Sequence, residues 1–362
     1  MASDNAGFEA AYAQAASARC AWVSRAASSA ELIAKLGLMG AGDRLVACAG
    51  DPDAFERHLG WHGLSLIADP SPDAFIAAEA AVVDVPAASD AAEPCARASY
   101  AYAAGACPGR TFWYVDMLCG PVLRVADVRA LGRAARMAGA TLIVGNSVPT
   151  VACCRPLELG AHVAVEDLSP LGWPGRLVVS VGRSVARRGR HQVADPAAED
   201  AYRMLARSLG EPGGAVPSSR RLPEDLLLLH AASSLSALLD VLQPRMDAAR
   251  AVAEYLACHP RVGSVSYPGL SSHPDRGHAA NVLMHGFGTR VSFTLLGGER
   301  SREAAEAESL RVALRHRFAP CELSVDLAEG PGGVSRIILD VRSDDALGII
   351  DGLDGCLRRP RS

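Results

Sequence analysis

Residues 111–144 read TFWYVDMLCGPVLRVADVRALGRAARMAGATLIV, and this stretch decides the fold class. The runs 111–116 and 141–144 are short and apolar, which is typical of buried strands. Between them, residues 125–138 carry apolar side chains at helical spacing. A strand, a helix and a second strand in this order predict a right-handed βαβ unit with parallel strands.

The same alternation extends in both directions along the chain. Apolar runs at 44–48, 64–68, 163–165 and 177–181 predict strands, and 55–60 and 73–81 predict helices. Residues 8–39 are rich in alanine and predict a helix that could break near 21–24. Ligands of parallel sheets bind at the carboxyl ends of the strands. The loops after Cys48, Asp116, Val144 and Val165 are therefore the first places to look for a site.

The second half of the chain begins with a change in residue composition. Residues 183–223 are rich in arginine, glycine, proline and serine, and we expect them to be loop-like. A long helix is predicted at 224–256, with a kink at Pro244. Strands at 260–296 and 334–341 and helices at 301–315 and 344–357 follow. We predict an α/β protein with a large domain at 1–244 and a smaller C-terminal α/β domain at 245–362.

The composition is that of an ordinary globular protein. The chain has 362 residues, of which 49% are hydrophobic and 21% charged, and its net charge is -4. A weakly acidic balance argues against a general nucleic-acid binder and against a polybasic membrane anchor. The sequence begins without the pattern of a signal peptide, and its most apolar stretch, 225–242, is interrupted by His230 and three serines. We expect a cytoplasmic protein that binds neither nucleic acid nor membrane.

The reactive side chains offer few alternatives. None of the ten cysteines forms a C-x-x-C pair, so no metal site is predicted, and adjacent Cys153 and Cys154 are interpreted as structural. Lysine occurs once among the 36 Lys and Arg residues, at Lys35. An excess of arginine over lysine is a compositional feature of GC-rich genomes. Any reaction that needs a lysine amine must nevertheless use Lys35.

Two stretches resemble one family of enzymes. Residues 140–147, ATLIVGNS, followed by 155–161, RPLELGA, resemble the core of the Cys/Met-metabolism pyridoxal-phosphate enzymes. This is the cystathionine γ-synthase, γ-lyase and O-acylhomoserine sulfhydrylase group of transsulfuration. Residues 259–270, HPRVGSVSYPGL, resemble the C-terminal domain of the same family. The resemblance implies the pyridoxal-phosphate-dependent transferase fold type I, a pyridoxal 5'-phosphate cofactor and an oligomer. It also implies that the family's amino-terminal arm is missing.

The resemblance further implies where the cofactor should be held, and several of these positions carry unsuitable residues. The Schiff-base lysine falls at Pro170, and the aspartate that pairs with the pyridine nitrogen falls at Gly145. The stacking tyrosine falls near Pro52, and the glycine of the phosphate loop becomes Arg25. We therefore predict no covalent attachment of the cofactor and assign no catalytic residue.

Lys35 is not expected to replace the missing lysine. It lies ten residues along a helix that should begin near 24–26, which corresponds to about 15 Å of helix. A lysine side chain spans only about 6 Å. We interpret Lys35 as a solvated helix residue.

Four positions retain a residue that could bind a ligand. The resemblance implies that Ser24, Asn146 and Ser169 contact the cofactor, although Asp167 stands where a further phosphate-binding serine is expected. Arg336 falls where the family clamps the substrate α-carboxylate, a task that suits the planar guanidinium. A structural ion pair is an equally open reading of Arg336.

These features lead to two main hypotheses. The first is a degenerate, non-catalytic homologue, or pseudoenzyme, that binds a small carboxylate or sulfur amino acid or pairs with an active relative in a homo- or hetero-oligomer. The alternative is a cystathionine γ-synthase- or lyase-like enzyme that holds pyridoxal phosphate without a lysine. A third reading, chemistry on another cofactor at Cys119 or Cys153, has no histidine motif to support it.

Overall fold

The structure is a computed structural model of the chain. It describes residues 5–36, 42–59, 63–81, 109–171, 173–183, 185–188, 191–212, 235–297 and 300–358. Two sheets of four or more strands organise these residues, and each has its own apolar core.

The first part is built on a seven-stranded sheet with the order β1-β9-β8-β7-β4-β2-β3. Strands β3, β2, β4, β7 and β8 are parallel neighbours, whereas β9 runs antiparallel to both β8 and β1. A separate two-stranded ribbon, β5 with β6, follows β4. The strands are β1 (Cys20–Arg25), β2 (Arg44–Cys48), β3 (Leu64–Leu66), β4 (Thr111–Asp116), β5 (Leu118–Cys119), β6 (Arg124–Val125), β7 (Thr141–Gly145), β8 (Val163–Asp167) and β9 (Arg176–Val181).

Helices cover both faces of this sheet. Successive side chains of β4 point to opposite faces, so Phe112 joins one apolar cluster and Trp113 the other, and both are fully buried. Burial on both faces explains why the central strands are continuous apolar runs. The helices of this part are α1 (Asn5–Ala15), α2 (Ser29–Lys35), α3 (Pro52–Leu59), α4 (Pro72–Ala81), α5 (Val128–Ala138), α6 (Thr150–Cys153), α7 (Pro156–Leu159) and α8 (Pro196–Leu209).

The second part is a four-stranded antiparallel sheet with the order β12-β13-β15-β14. Its strands are β12 (Val262–Ser266), β13 (Arg290–Leu295), β14 (Leu323–Gly330) and β15 (Val334–Val341), and its helices are α9 (Leu235–Cys258), α10 (Arg276–Val282), α11 (Arg300–Arg317) and α12 (Ala346–Leu357). Helix α9 runs through the predicted boundary at 244–245, with Pro244 inside it. A hairpin of β10 (Val185–Arg188) and β11 (His191–Ala194) lies between the two parts in sequence.

Several sequence predictions are confirmed and others are wrong. The βαβ unit of β4, α5 and β7 is confirmed. The helix predicted at 8–39 is wrong at its centre, where β1 forms. The loop predicted at 183–223 is wrong where β10, β11 and α8 form, and β14 was not anticipated. Residues 213–234, which include the start of the helix predicted at 224–256, lie outside the described residues.

The RPLELGA segment packs tightly against α5. It forms α7 and then turns at Gly160, whose φ of 115° lies in the left-handed region that glycine adopts most readily. A Cβ atom on Gly132 of α5 would lie 2.6 Å from the carbonyl oxygen of Gly160. Glycine at 132 therefore allows the backbone of α5 to contact the backbone of the turn at Gly160.

Candidate functional site

The parallel strands end at one edge of the large sheet, and most predicted site positions lie there. β4 ends at Asp116, β7 at Gly145 and β8 at Asp167. Asp116 is the cross-strand neighbour of Gly145. The carboxyl edge of a parallel sheet is the usual place for a ligand, so these ends define the candidate site.

The lysine position of the resemblance is occupied by a turn. Pro170 is the middle residue of a 3-10 turn, Ser169–Leu171, that follows β8. The carbonyl oxygen of Pro170 accepts a hydrogen bond from the guanidinium of Arg245 on α9. This place therefore holds a backbone carbonyl and an arginine, and arginine stays protonated and forms no Schiff base at neutral pH.

Lys35 is engaged at its own helix. Its Nζ forms an ion pair with Glu31 and donates a hydrogen bond of 3.2 Å to the carbonyl oxygen of Arg25. The side chain is 53% exposed, as expected for a solvated helix lysine. The expected distance along the helix is wrong, because α2 begins only at Ser29.

The start of α2 is closed by its own side chains. Ser28 Oγ accepts from the N–H of Glu31 at 3.1 Å, and the Glu31 carboxylate accepts from the N–H of Ala27 at 2.6 Å. These two hydrogen bonds satisfy backbone donors that could otherwise face a phosphate. Ser24 lies on β1, opposite Leu177 of β9, and is 8% exposed. The prediction that a helix begins near Ser24 is therefore wrong.

A buried phenol and a half-buried carboxyl group lie at the end of β4. The Tyr114 hydroxyl donates to Asp116 Oδ1 at 2.6 Å, and the N–H of Gly50 donates to Asp116 Oδ2 at 2.6 Å. Burial raises the pKa of Asp116, although both hydrogen bonds oppose this shift. Pro52, where the resemblance places a stacking tyrosine, is the first residue of α3. The sequence signal for Asp116 was a single acid at the end of an apolar strand, and it received no role.

Asn146 is directed into the protein. It is fully buried, and its Nδ2 donates to the carbonyl oxygen of Cys154 at 3.0 Å and to Glu166 Oε1 at 2.9 Å. The N–H of Val151 donates to Glu166 Oε2 at 2.8 Å. Burial raises the pKa of Glu166 to about 7. Sequence analysis missed Glu166, and its only signal was an acid within the apolar run VAVED.

Ser169 is paired with its neighbour. Its Oγ and its backbone N–H both donate to Asp167 Oδ1, at 2.7 and 2.9 Å. The N–H of Asp167 in turn donates to Ser147 Oγ at 3.0 Å. Burial raises the pKa of Asp167. When ionised, this carboxylate repels a phosphate, and it already engages the hydroxyl that was expected to bind one.

Arg336 is a buried cation held by hydroxyl groups. It lies on β15 with 6% exposure, and its guanidinium donates to three serine side chains at 2.9–3.2 Å. None of its hydrogen bonds within the described residues goes to a carboxylate, and burial lowers its pKa. The serines are Ser264, Ser266 and Ser292. Within the described residues, a structural ion pair therefore does not account for this arginine.

The thiols of Cys119, Cys153 and Cys154 are buried. Cys153 Sγ lies 2.9 Å from Met246 Sδ, and Cys154 Sγ lies 3.8 Å from Met117 Sδ. Burial raises the pKa of Cys153 to about 12, and it also raises the pKa of Cys119. Both groups are therefore neutral thiols rather than nucleophilic thiolates near pH 7. Across the described ranges, no cluster of three or more His, Cys, Asp or Glu side chains could hold a metal ion.

None of the helices in the described part of the chain is both long enough and apolar enough to span a membrane.

Comparison with known proteins agrees with the resemblance. Residues 235–316 match the family model described as Cys/Met metabolism PLP-dependent enzyme. Cystathionine gamma-synthase of Mycobacterium tuberculosis is 32% identical over 230 residues, covering 63% of this chain and 50% of that protein. L-methionine gamma-lyase of Pseudomonas putida is 31% identical over 195 residues, covering 53% of this chain and 44% of that protein. The chain therefore spans about half the length of the curated relatives it matches.

The fold is shared over almost the whole chain. The crystal structure of an apo methionine gamma lyase from Micromonospora echinospora matches with a TM-score of 0.68 and 23% identity, covering 99% of this chain and 87% of that chain. At this identity the likeness concerns the architecture alone. The chain is therefore similar in sequence to the Cys/Met metabolism PLP-dependent enzymes, and it has the fold type I architecture.

Proposed function

We propose that this chain is a non-catalytic member of its family that binds a small carboxylate metabolite. The observation that carries the proposal is the turn at Pro170, where the family resemblance calls for a Schiff-base lysine. The carbonyl oxygen of Pro170 accepts a hydrogen bond from Arg245, and Lys35 is bound to Glu31 of its own helix, α2, and to the carbonyl oxygen of Arg25 at the end of β1. No described amine is therefore available at the carboxyl edge of β8.

The other described residues do not fit pyridoxal phosphate either. The N-terminus of α2 is closed by Ser28 and Glu31. Gly145 offers no carboxylate to a pyridine nitrogen, and the Ser169 hydroxyl is engaged by Asp167. Cofactor chemistry of this kind needs a lysine, a pyridinium partner and a phosphate cradle together. Because all three are replaced together, we infer that the protein does not carry out pyridoxal-phosphate chemistry.

Arg336 supports the binding of a carboxylate. A buried guanidinium without a carboxylate partner bears a desolvation cost that hydroxyl groups offset only in part. A bound carboxylate would supply the missing charge through a charge-assisted hydrogen bond. The amino acids acted on by the related lyases and synthases carry such a group, so we propose a sulfur amino acid or a similar small acid as the ligand.

The cofactor test is spectroscopic. We expect purified protein mixed with pyridoxal phosphate to show no aldimine band at about 410–430 nm. Its mass should stay unchanged after borohydride reduction. A mass increase mapped to Lys35 would contradict the proposal, and Lys35→Arg is the control that must abolish such labelling.

The ligand test uses thermal unfolding. Methionine, cystathionine and homoserine should raise the unfolding midpoint, because a ligand bound to the native state stabilises it in proportion to the logarithm of its concentration. The amine analogue of methionine that lacks the carboxylate should not do so. Loss of the shift in Arg336→Met, but not in Arg342→Met, would assign the effect to Arg336.

The alternative is an enzyme that holds pyridoxal phosphate without a lysine. Its support is the similarity to cystathionine gamma-synthases over 63% of the chain. Turnover of cystathionine or an O-acylhomoserine by the purified protein would favour it. No described side chain that could act as base for an α-proton lies at the lysine position.

The proposal also covers the binding partners of the protein and its location in the cell. We propose a cytoplasmic protein that forms a homo-oligomer or joins an active relative, without nucleic-acid or membrane binding. Light scattering of the purified chain, alone and after co-expression with a catalytic family member, distinguishes the two assemblies.

A further inference from the structure

The space in front of Gly145 is filled by two side chains from the neighbouring strand. A Cβ atom placed on Gly145 would lie 2.0 Å from Asp116 Oδ1 and 2.2 Å from the Tyr114 hydroxyl oxygen. Real Cβ atoms do not approach other atoms this closely. No residue larger than glycine fits at 145 unless Tyr114 or Asp116 moves.

Hydrogen bonds and ring packing hold both side chains in place. The Tyr114 hydroxyl donates to Asp116 Oδ1 at 2.6 Å, and the N–H of Gly50 holds Asp116 Oδ2 at 2.6 Å. The Tyr114 ring packs against Phe55 of α3 with ring centroids 4.6 Å apart. Tyr114 is 1% exposed, so its ring has no adjacent solvent into which it could turn.

The pair joins three segments at the edge of the sheet. Tyr114 and Asp116 come from the end of β4, Gly145 ends β7, and Gly50 belongs to the loop between β2 and α3. Burial raises the pKa of both Asp116 and Tyr114, which keeps the phenol protonated as the donor. The polar groups are satisfied by one another, so their burial needs no ligand.

We propose that Tyr114 and Asp116 form an internal plug that fills the position of a side chain at 145 and closes this edge of the sheet to a cofactor ring. The inference rests on the proposed function, because it explains how the protein remains folded with no cofactor bound. The plug also requires glycine at 145, independently of the missing lysine.

The test is a double-mutant cycle read by thermal unfolding, with no cofactor present. Gly145→Ala in the wild-type background should lower the unfolding midpoint by about 5 °C or more, since a buried clash must be relieved by moving packed atoms. In a Tyr114→Phe/Asp116→Ser background, which removes both atoms that lie closest to the added Cβ, the same substitution should lower the midpoint much less. Gly355→Ala, in α12 with nothing within 4 Å of its Cβ position, is the matched control and should not lower the midpoint.

Equal losses in the two backgrounds would overturn the plug. If Gly145→Ala does not fold in the wild-type background, recovery of cooperative unfolding in the double-variant background supports the plug, and failure in both backgrounds overturns it. Because this cycle contains no pyridoxal phosphate, its result is separate from the absorbance titration. Aldimine formation by the wild type would refute the proposed function whatever the coupling at Gly145.

Discussion

Asn146 donates a hydrogen bond of 2.9 Å to Glu166, a buried carboxyl group that also accepts from the N–H of Val151 and lies beside the Tyr12 hydroxyl. Burial raises the pKa of Glu166 from 4.5 to about 7, because the loss of hydration outweighs these hydrogen bonds. Asn146 Oδ1 is itself buried without a hydrogen-bond partner within the described residues. We therefore expect this polar cluster to make the stability of the protein depend on pH.

The first prediction concerns Glu166. A carboxyl group whose pKa is higher in the folded state stabilises the fold fully below pH 4.5, and this contribution is lost as the pH rises through about 7. The total effect is about 3 kcal/mol, of which about 1 kcal/mol falls above pH 6.5. Urea unfolding should show a decline between pH 6.5 and 8 in the wild type that is absent in Glu166→Gln. The exposed Asp351→Asn serves as control, and an unchanged decline in Glu166→Gln would contradict the assignment.

The second prediction concerns His162, whose effect on stability changes with pH in the opposite direction. Burial lowers its pKa from 6.5 to about 4, despite the Asp195 carboxylate 3.5 Å from its Nε2. Its contribution is therefore present above pH 6.5 and is lost as the pH falls through about 4, by about 3 kcal/mol in total. In His162→Asn, the new amide oxygen can still accept from the N–H of Leu142, which His162 Nδ1 accepts at 2.8 Å.

In the wild type, the contributions of Glu166 and His162 to the pH dependence of the free energy of unfolding should nearly cancel between pH 4.5 and 6.5. Over this range, the free energy of unfolding should rise with pH in Glu166→Gln and fall with pH in His162→Asn. Urea titrations of both variants at four pH values measure the two slopes. Slopes of the same sign would show that one of the two groups does not titrate as the structure implies.

The third prediction compares two arginines of the small sheet. Arg336→Met should change the free energy of unfolding of the ligand-free protein by no more than about 1 kcal/mol, because Arg336 has no carboxylate partner among the described residues and replacing a buried charge by an apolar chain is often neutral or stabilising. Arg290→Met should cost about 3 kcal/mol, because it leaves Asp340, now 3.0 Å from Arg290, without its partner. Denaturant unfolding of both variants checks this order. A larger loss in Arg336→Met would mean that its serine contacts are structural.

The fourth prediction concerns the contact between α5 and the RPLELGA turn. Gly132→Ala should cost about 2 kcal/mol, because its Cβ would meet the Gly160 carbonyl oxygen at 2.6 Å and backbone atoms cannot rotate away. Gly277→Ala, in α10 with open space around the added Cβ, should be neutral or stabilising. Equal unfolding midpoints for the two variants would show that α5 can shift without cost.

The parts of the fold that follow from local pattern were predictable, and those set by distant contacts were not. The apolar runs of β2, β4 and β7 are short, and they lie between helices that cover both faces of the sheet. Such runs bury all of their side chains as strands, so the local pattern was enough to predict them. β1 escaped prediction because CAWVSR follows an alanine-rich helix and gains its strand partners only from β9, more than 150 residues later. Helix α8 escaped because an arginine-rich segment precedes it, although Asp195 and Pro196 are a recognisable helix start.

The resemblance assigned positions to the candidate site, but it could not give the orientation of the side chains there. The resemblance placed Gly145, Pro170 and Arg336 where the structure has a strand end, a turn and a buried cation. It could not show that Asn146 points inward to Glu166, because amide orientation depends on packing from both sides of the sheet. Nor could it show that Tyr114 fills the space in front of Gly145, since sequence spacing says nothing about which of two neighbouring strands supplies a side chain.

The contact between α1 and β1 has a consequence for self-association. The carboxylate of Glu9 accepts a hydrogen bond of 2.8 Å from the N–H of Val23, on the last strand in the order of the sheet. Unpaired amides on such a strand are templates for strands of other molecules. With Glu9 in place, a foreign strand would have to displace a buried carboxylate before it could pair at Val23. The first helix thus disfavours the addition of further strands at Val23, and it does so by burying one acidic side chain.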